Sequence, residues 1–299
     1  MVIWGLKTFN HTHAYIHANY YRVLKRNQIK VIWLDDKERN RRLVPQNAIV
    51  ICVSLAVNHI PFRSDLTYFA HNIPESKKYL FNDFHVLFYE NYKKDFVGTP
   101  HKTAGLSILR SAERLLAQPY GTPVSKHLWV DHNNLRLQKM QETWVGSIWN
   151  DSQNRGNERV IESYVKILHD LGISFRQVEF GKFGRYPFSA RLEEGYISNS
   201  IFGASVHSNH QIAESNIVCR FFKSISFGKV PTTNQIHAEN FFPGAVVADL
   251  DLPTLVERRL QLSKMESIKR VKLAQEQLSP YTYEAGFNRL ALAIRNDWS

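Results

Sequence analysis

The chain has 299 residues, 43% hydrophobic and 22% charged, which is ordinary globular usage and excludes disordered, collagenous and fibrous classes. Its two cysteines, Cys52 and Cys219, argue against a disulfide-stapled secreted domain and against a cysteine-built zinc site. Lysine and arginine outnumber aspartate and glutamate by 38 to 27, and the excess is lopsided: 20 against 11 through residue 142 (+9), then 18 against 16 (+2). Such a bias suits an acidic partner or an anionic surface. No apolar run approaches the roughly 18 residues of a membrane span, and the N-terminus is too short for a signal peptide, so a soluble cytoplasmic protein is expected.

Residues 2–6 (VIWGL) are a short apolar run, followed by a polar loop at 7–13 and a helix predicted over 14–27. Residues 30–34 (KVIWL) form the next apolar run, closed by Asp35 and Asp36. Strand, loop, helix, strand is a βαβ unit and implies a parallel sheet. Further buried strands are predicted at 48–53, 66–70, 85–89 and 127–130, with a helix over 104–117. The pattern then starts again: a strand at 143–149, a polar loop at 150–157, an amphipathic helix at 158–171 stopped by Gly172, and a strand at 173–180. Short strands at 202–206, 229–233 and 245–248 follow, with a helix over 218–227, and from residue 252 the chain is helical, broken at Ser279-Pro280. The expected fold class is α/β: two doubly wound Rossmann-like domains, residues 1–138 and 139–299, facing each other across a cleft.

Ligands of such sheets sit at the carboxyl ends of the strands. Three loops there carry chemistry. The first holds His11 and His13, with His17 one turn into the helix. A neutral imidazole is matched to deprotonating a hydroxyl near pH 7, and His13 with His17 also has the i, i+4 spacing of a zinc pair, though without an HExxH pattern. The second, residues 150–157 (NDSQNRGN), leads into a helix whose N-terminus favours phosphate. The third, residues 214–234, carries Arg220 and Lys223 one turn apart, a cation pair able to neutralise a diphosphate. Asp249 and Asp251 form a DxD pair just before a helix and read as a turn and cap.

The third loop carries a resemblance. Arg220-x-x-Lys223-x-Ile225-x-x-Gly228-x-Val230-Pro231 resembles nucleotide-sugar glycosyltransferases of the two-Rossmann (GT-B) type, the exostosin-like branch being nearest with its R-x-x-E-x-x-x-x-G-x-I-P segment. KTFNHTHAYIHANYYRVLKRNQIKVIWLDD looks like the opening of bacterial and large-virus members of that architecture, and GSIWNDSQNRGNE fits the loop after the first strand of their second domain. Lys223 departs from the pattern, standing where many relatives place a glutamate, which leaves Glu214 to take over a donor contact.

The resemblance implies a C-terminal donor domain and an N-terminal acceptor domain, with the C-terminal helix free to cross back to the first. Ser147, Asn150, Arg155, Gly156, Glu214, Arg220 and Lys223 would hold a nucleotide sugar, a UDP-sugar by preference with a pentose or deoxyhexose among the options. His13, or His11, would be the catalytic base of an inverting transfer, oriented by Asp36 or Asp131, with Asp35 a further candidate. No metal and no cofactor beyond the nucleotide-sugar co-substrate is expected. The acceptor is expected to be an oligosaccharide or glycoconjugate hydroxyl, with a peripheral membrane-surface location allowed by the charge, and no nucleic acid. Two alternatives stay open. One is a sugar-nucleotide epimerase of the same fold. The other is a nucleic-acid binder using the basic N-terminal half, where aromatics alternate with cations as in Tyr20-Tyr21-Arg22.

Overall fold

A computed structural model describes residues 1–7, 12–53, 59–71, 83–88, 115–117, 121–131, 140–178, 190–213 and 215–296. The first half comprises β1 (Val2–Trp4), α1 (Thr12–Arg26), β2 (Ile32–Leu34), β3 (Ile49–Val53), β4 (Thr67–His71), β5 (Asp83–Phe88) and β6 (Leu115–Ala117). Among the described residues these six strands make one parallel sheet in the order β2-β1-β3-β4-β5-β6. A parallel sheet is covered on both faces, which is why Val2, Ile3 and Trp4 are all fully buried without alternation. The order reverses at β1, with β2 on one side and β3 on the other, so the ligand crevice of this sheet opens beyond Trp4.

The second half contains β7 (Gln141–Val145), α2 (Glu158–Asp170), β8 (Ser174–Val178), α3 (Ala190–Ser198), α4 (Asn209–Ala213), α5 (Cys219–Ser226), β9 (Thr232–Thr233) and β10 (Val247–Ala248). Then come α6 (Leu252–Leu260), α7 (Lys264–Leu278) and α8 (Tyr283–Asn296). β7 pairs with β8 and β9 with β10, both parallel. Residues 201–205 join the two ribbons: Ile201 N–H donates to the Gln141 carbonyl at 2.9 Å and Ser205 N–H to that of Thr232 at 2.8 Å.

Between these joints main-chain pairing is replaced by two charged side chains. The Glu142 carboxylate, fully buried, accepts from the N–H groups of Phe202 (3.0 Å), Gly203 (3.2 Å) and Ala204 (3.0 Å) and from the Ser200 hydroxyl. On the carbonyl side, Arg220 donates to Ala204 (2.7 Å), Val145 (3.1 Å) and Thr143 (2.6 Å), its guanidinium lying 4.1 Å from the centre of the Trp144 ring. Each group supplies the partners that a continuous ladder would have supplied. Lys229 lies beneath, its ammonium bonded to the Ser200 carbonyl and its stem so close to Gly203 that a Cβ there would come within 2.8 Å of Cγ. Burial pushes the Lys229 ammonium down to about 7, with the Glu142 charge opposing the shift.

Both halves share one apolar core. Ile3, Ile16, Tyr20 and Phe69 of the first half pack with Phe221, Phe222, Phe242 and Tyr281 of the second. The C-terminal helix does return to the first half: Tyr283 packs edge-on to Tyr20 at 5.7 Å, and Glu284 pairs with Arg26 at 2.6 Å. Helix α1 is therefore enclosed, and every residue from Ala14 to Tyr20 is buried. Among the described residues no helix is long and apolar enough to cross a membrane.

Three expected elements differ. The strand at 202–206 is reduced to an isolated bridge between Ser205 and Thr233, because Glu142 and Arg220 hold the pairing groups. The apolar stretch at 127–130 is not a strand: Lys126–Leu128 is a 3-10 turn, stabilised by Leu128 N–H on the Ser125 carbonyl and by the Trp129 indole on the Val124 carbonyl. Of the helix expected at 104–117, residues 115–117 are β6, and residues 104–114 lie outside the described residues.

Glu142→Ala strips four buried donors of their acceptor and leaves Lys229 facing Arg259 without a counter-charge. It is expected to lower the unfolding free energy by about 3–5 kcal/mol, the range for breaking a buried pair, read as a fall in urea midpoint at unchanged slope. An unchanged midpoint would remove Glu142 from the framework.

Candidate active site

The carboxyl end of β1 leads toward α1, and Lys223 of α5 meets that helix at Tyr15. Trp4 leads into Gly5, which lies directly under the His17 ring: a Cβ there would come within 2.1 Å of Cε1, so no other residue fits. The Trp33 indole donates to the Gly5 carbonyl at 3.0 Å, and Lys7 N–H donates to the Asp35 carboxylate at 3.3 Å, tying the first loop to the end of β2. His17 is buried against Trp33, a wall of the site rather than an exposed ligand. His13 is the second residue of α1; its side chain, all of His11 and Glu214 lie outside the described residues.

The second loop is a preformed turn. Asn157, buried at the head of α2, accepts the Trp149 N–H at 2.9 Å and donates to the Ser147 carbonyl at 3.2 Å. Gly156 is seated against the same residue, and a Cβ would come within 2.0 Å of the Trp149 carbonyl oxygen. The Asp151 carboxylate takes the N–H groups of Gln153 (3.0 Å) and Arg155 (2.9 Å) and the Arg155 guanidinium (2.6 Å), interactions led by the Arg155 N–H that hold the carboxyl below its ordinary range. Ser147, Asn150 and Arg155 are exposed, and Asn150 reaches the Glu158 carboxylate at 3.3 Å. The Ser208 hydroxyl donates to the Arg155 carbonyl at 2.9 Å, joining this loop to the one before α4.

The third loop is stitched by polar side chains. Asn234 accepts the His207 N–H at 2.7 Å and returns a bond to the His207 carbonyl at 2.9 Å. The Gln235 amide bridges the carbonyls of Gln211 and Asn216. The buried His207 ring accepts the Val218 N–H at Nε2 (3.3 Å), which leaves Nδ1 to donate to the Thr233 hydroxyl (3.1 Å). Burial pushes this imidazole down to about 4, so it is neutral and structural at pH 7.

Arg220 and Lys223 are not presented to solvent. Arg220 is 4% exposed, committed to three carbonyls and stacked on Trp144. Lys223 is 1% exposed, its ammonium 4.9 Å from the centre of the Tyr15 ring, which places it at the seam between α5 and α1, two residues along from His13. Asp36 is buried at the end of β2, on the site's side of the first sheet. Asp131 follows Val130, whose N–H donates at 2.8 Å to the carbonyl of Ser226, the last residue of α5 and one turn beyond Lys223. Asp251 caps α6 through the Thr254 N–H and hydroxyl, and Asp249 pairs with Arg258, the turn and cap that were expected. Sequence reasoning missed Glu142, Asn157, His207, Asn234 and Gln235. For the last two the signal was the polar Asn234-Gln235 pair directly after the short strand ending at Thr233.

No protein-family model and no curated protein matches the sequence, so the exostosin-like likeness of the Arg220 segment stays a resemblance. Solved structures do match the fold. An alpha-glucosyltransferase in complex with UDP aligns over 98% of this chain and 99% of its own, with TM-score 0.59 and 11% identity. An alpha-glucosyltransferase with UDP and a 13-mer DNA containing a HMU base aligns over 97% and 99%, with TM-score 0.57 and 10% identity. A third, with UDP and a 13-mer DNA containing a central A:G mismatch, aligns over 98% and 99%, with TM-score 0.61 and 11% identity. The chain has the GT-B fold. The expectation that nucleic acid is no partner is overturned by the last two, in which DNA accompanies UDP on this architecture. A phosphate backbone needs cations, and the first half of the chain carries the excess of them.

His207 gives the fold an acid limit. The folded chain holds the ring neutral down to about pH 4, whereas the unfolded chain protonates it near the ordinary 6.5. Its stabilising contribution is whole above 6.5 and is lost as pH falls toward 4, by about 3 kcal/mol in all. Chemical denaturation at pH 7 and pH 4.5 should show the loss, and His207→Gln should flatten that part of the profile. An equal pH slope in the variant would assign the acid limit elsewhere.

Proposed function

We propose that the chain is a UDP-sugar-dependent glycosyltransferase whose acceptor is a hydroxyl carried by nucleic acid. The observation that carries this reading is the extent of the fold match: it runs over 97% or more of this chain and 99% of enzymes that were each solved with UDP, two of them with DNA. The charge supports the acceptor, since +9 of the +11 lies in residues 1–142, the acceptor half in this reading. Residues 1–138 would then carry the acceptor and 139–299 the donor. The four ordinary bases offer no aliphatic hydroxyl, so transfer to a base requires one that has been hydroxylated beforehand.

In the reaction the acceptor oxygen bonds to the anomeric carbon as the bond from that carbon to the diphosphate breaks. The hydroxyl proton passes to a base and the electron pair leaves with UDP. Negative charge grows on the diphosphate, and fixed positive groups aimed there lower the barrier. In the proposed site the exposed guanidinium of Arg155 and the head of α2 meet the phosphates, and Lys223 adds charge at the seam. Arg220 holds the strand ends in place for them. These groups supply the charge without a metal. The inverting form uses His13 as base, and NMR of the product tests it. A β-linked product from an α-linked donor supports single displacement assisted by a base, whereas an α-linked product rejects inversion and with it this role for His13.

The primary test is calorimetric titration with UDP, GDP, CMP and dTDP, with and without EDTA, followed by transfer from radiolabelled UDP-sugars to a duplex with and without a hydroxymethylated pyrimidine. Saturable UDP binding indifferent to EDTA and transfer confined to the hydroxymethylated duplex are expected. Arg155→Ala should weaken UDP about tenfold without moving the unfolding midpoint, the loss of one charge-assisted bond. Failure of every nucleotide to bind would reject the reading.

A further inference from the structure

The proposed donor contacts leave one feature of the second loop unexplained. Trp149 is 42% exposed, and among the described residues it is the only Trp, Tyr or Phe on the open surface; the other exposed large apolar side chains are Ile, Leu or Met. An isolated exposed aliphatic residue on a soluble protein needs no explanation. A tryptophan whose backbone is fixed from three directions does. Its N–H is held by Asn157 at 2.9 Å and its carbonyl accepts the Glu158 N–H at 3.2 Å. Gly156 packs so tightly on that carbonyl that a Cβ would intrude to 2.0 Å. The backbone is locked while the ring is displayed, the arrangement that lets an aromatic bind with little ordering cost. Asn150 and Arg155, one and six positions on, stand exposed on the same turn. An aromatic face beside a cation and an amide complements a nucleobase with its attached phosphate.

We infer that Trp149 is a stacking platform for a nucleobase and contributes to the protein's affinity for its nucleotide ligand. The inference rests on the proposed use of a nucleotide sugar and of nucleic acid, and the base is either the uracil of the donor or a base of the acceptor. The ring face supplies affinity, while the amide and guanidinium beside it fix where the attached phosphate lies.

Calorimetric titrations of the full chain with UDP, and separately with a 13-mer duplex carrying a hydroxymethylated pyrimidine, test it in the wild type, Trp149→Ala and Trp149→Phe. Base stacking on an aromatic typically contributes enough that Trp149→Ala should weaken binding about tenfold, with Trp149→Phe recovering most of it at an unchanged unfolding midpoint. A loss confined to UDP assigns the platform to the donor, and one confined to the duplex assigns it to the acceptor; either supports the inference. Wild-type binding of both ligands that Trp149→Ala leaves unchanged overturns the platform alone. Failure of the wild type to bind either ligand overturns the platform together with the function on which it rests.

Discussion

The second sheet is held together where it should come apart. Between β7 and residues 201–205 a parallel ladder is missing, and an acid and a base from different elements replace it: Glu142 on the amide side and Arg220 on the carbonyl side. An unsatisfied buried backbone group costs about 1–3 kcal/mol, so three amides and three carbonyls left bare would erase a typical domain's stability. Everything at the carboxyl end inherits this device. Arg220 reaches across from α5, fixing that helix over the sheet, and its stacking on Trp144 sets the end of β7, from which the Trp149 loop departs. Lys229 closes the arrangement from below, its charge answered by Glu142.

Seen this way, the most recognisable motif in the chain does two jobs. Arg220 and Lys223 read from spacing as a phosphate clamp, because two cations one helical turn apart match a diphosphate. Spacing cannot say which way a side chain faces once its helix is enclosed on several sides. The apolar neighbours held the hint: Phe221, Phe222 and Ile225 are all buried, so the helix has little surface left on which to display a cation. The fold-level pattern was easier to read. The βαβ opening and the restart at β7 follow from runs of apolar residues and their period, which burial on both faces of a parallel sheet dictates, whereas the returning C-terminal helix was implied by the family resemblance.

The misreadings have local causes. Residues 127–130 are apolar without being a strand, because Trp129 satisfies its indole on the Val124 carbonyl and the turn closes on itself. Residues 202–206 lost their ladder to Glu142, a glutamate that in sequence marks only the start of an apolar run. The sequence clue to nucleic acid was the charge asymmetry, since a backbone-binding surface needs cations rather than a motif.

The two arginines of the candidate site differ in what a ligand must displace. Arg155 and its partner Asp151 have side chains 51% and 22% exposed, and an ion pair in that setting contributes about 0–1 kcal/mol. A diphosphate can exchange with Asp151 for the guanidinium at little cost. Moving Arg220 would bare three buried carbonyls at about 1–3 kcal/mol each and unstack it from Trp144, a sum comparable to the whole affinity of a micromolar ligand. In the proposed reaction a ligand therefore recruits the cheaply held cation and leaves the costly one in place. A charge buried with three partners is a strut, and a charge sharing a surface turn with its own counter-ion is available to a ligand.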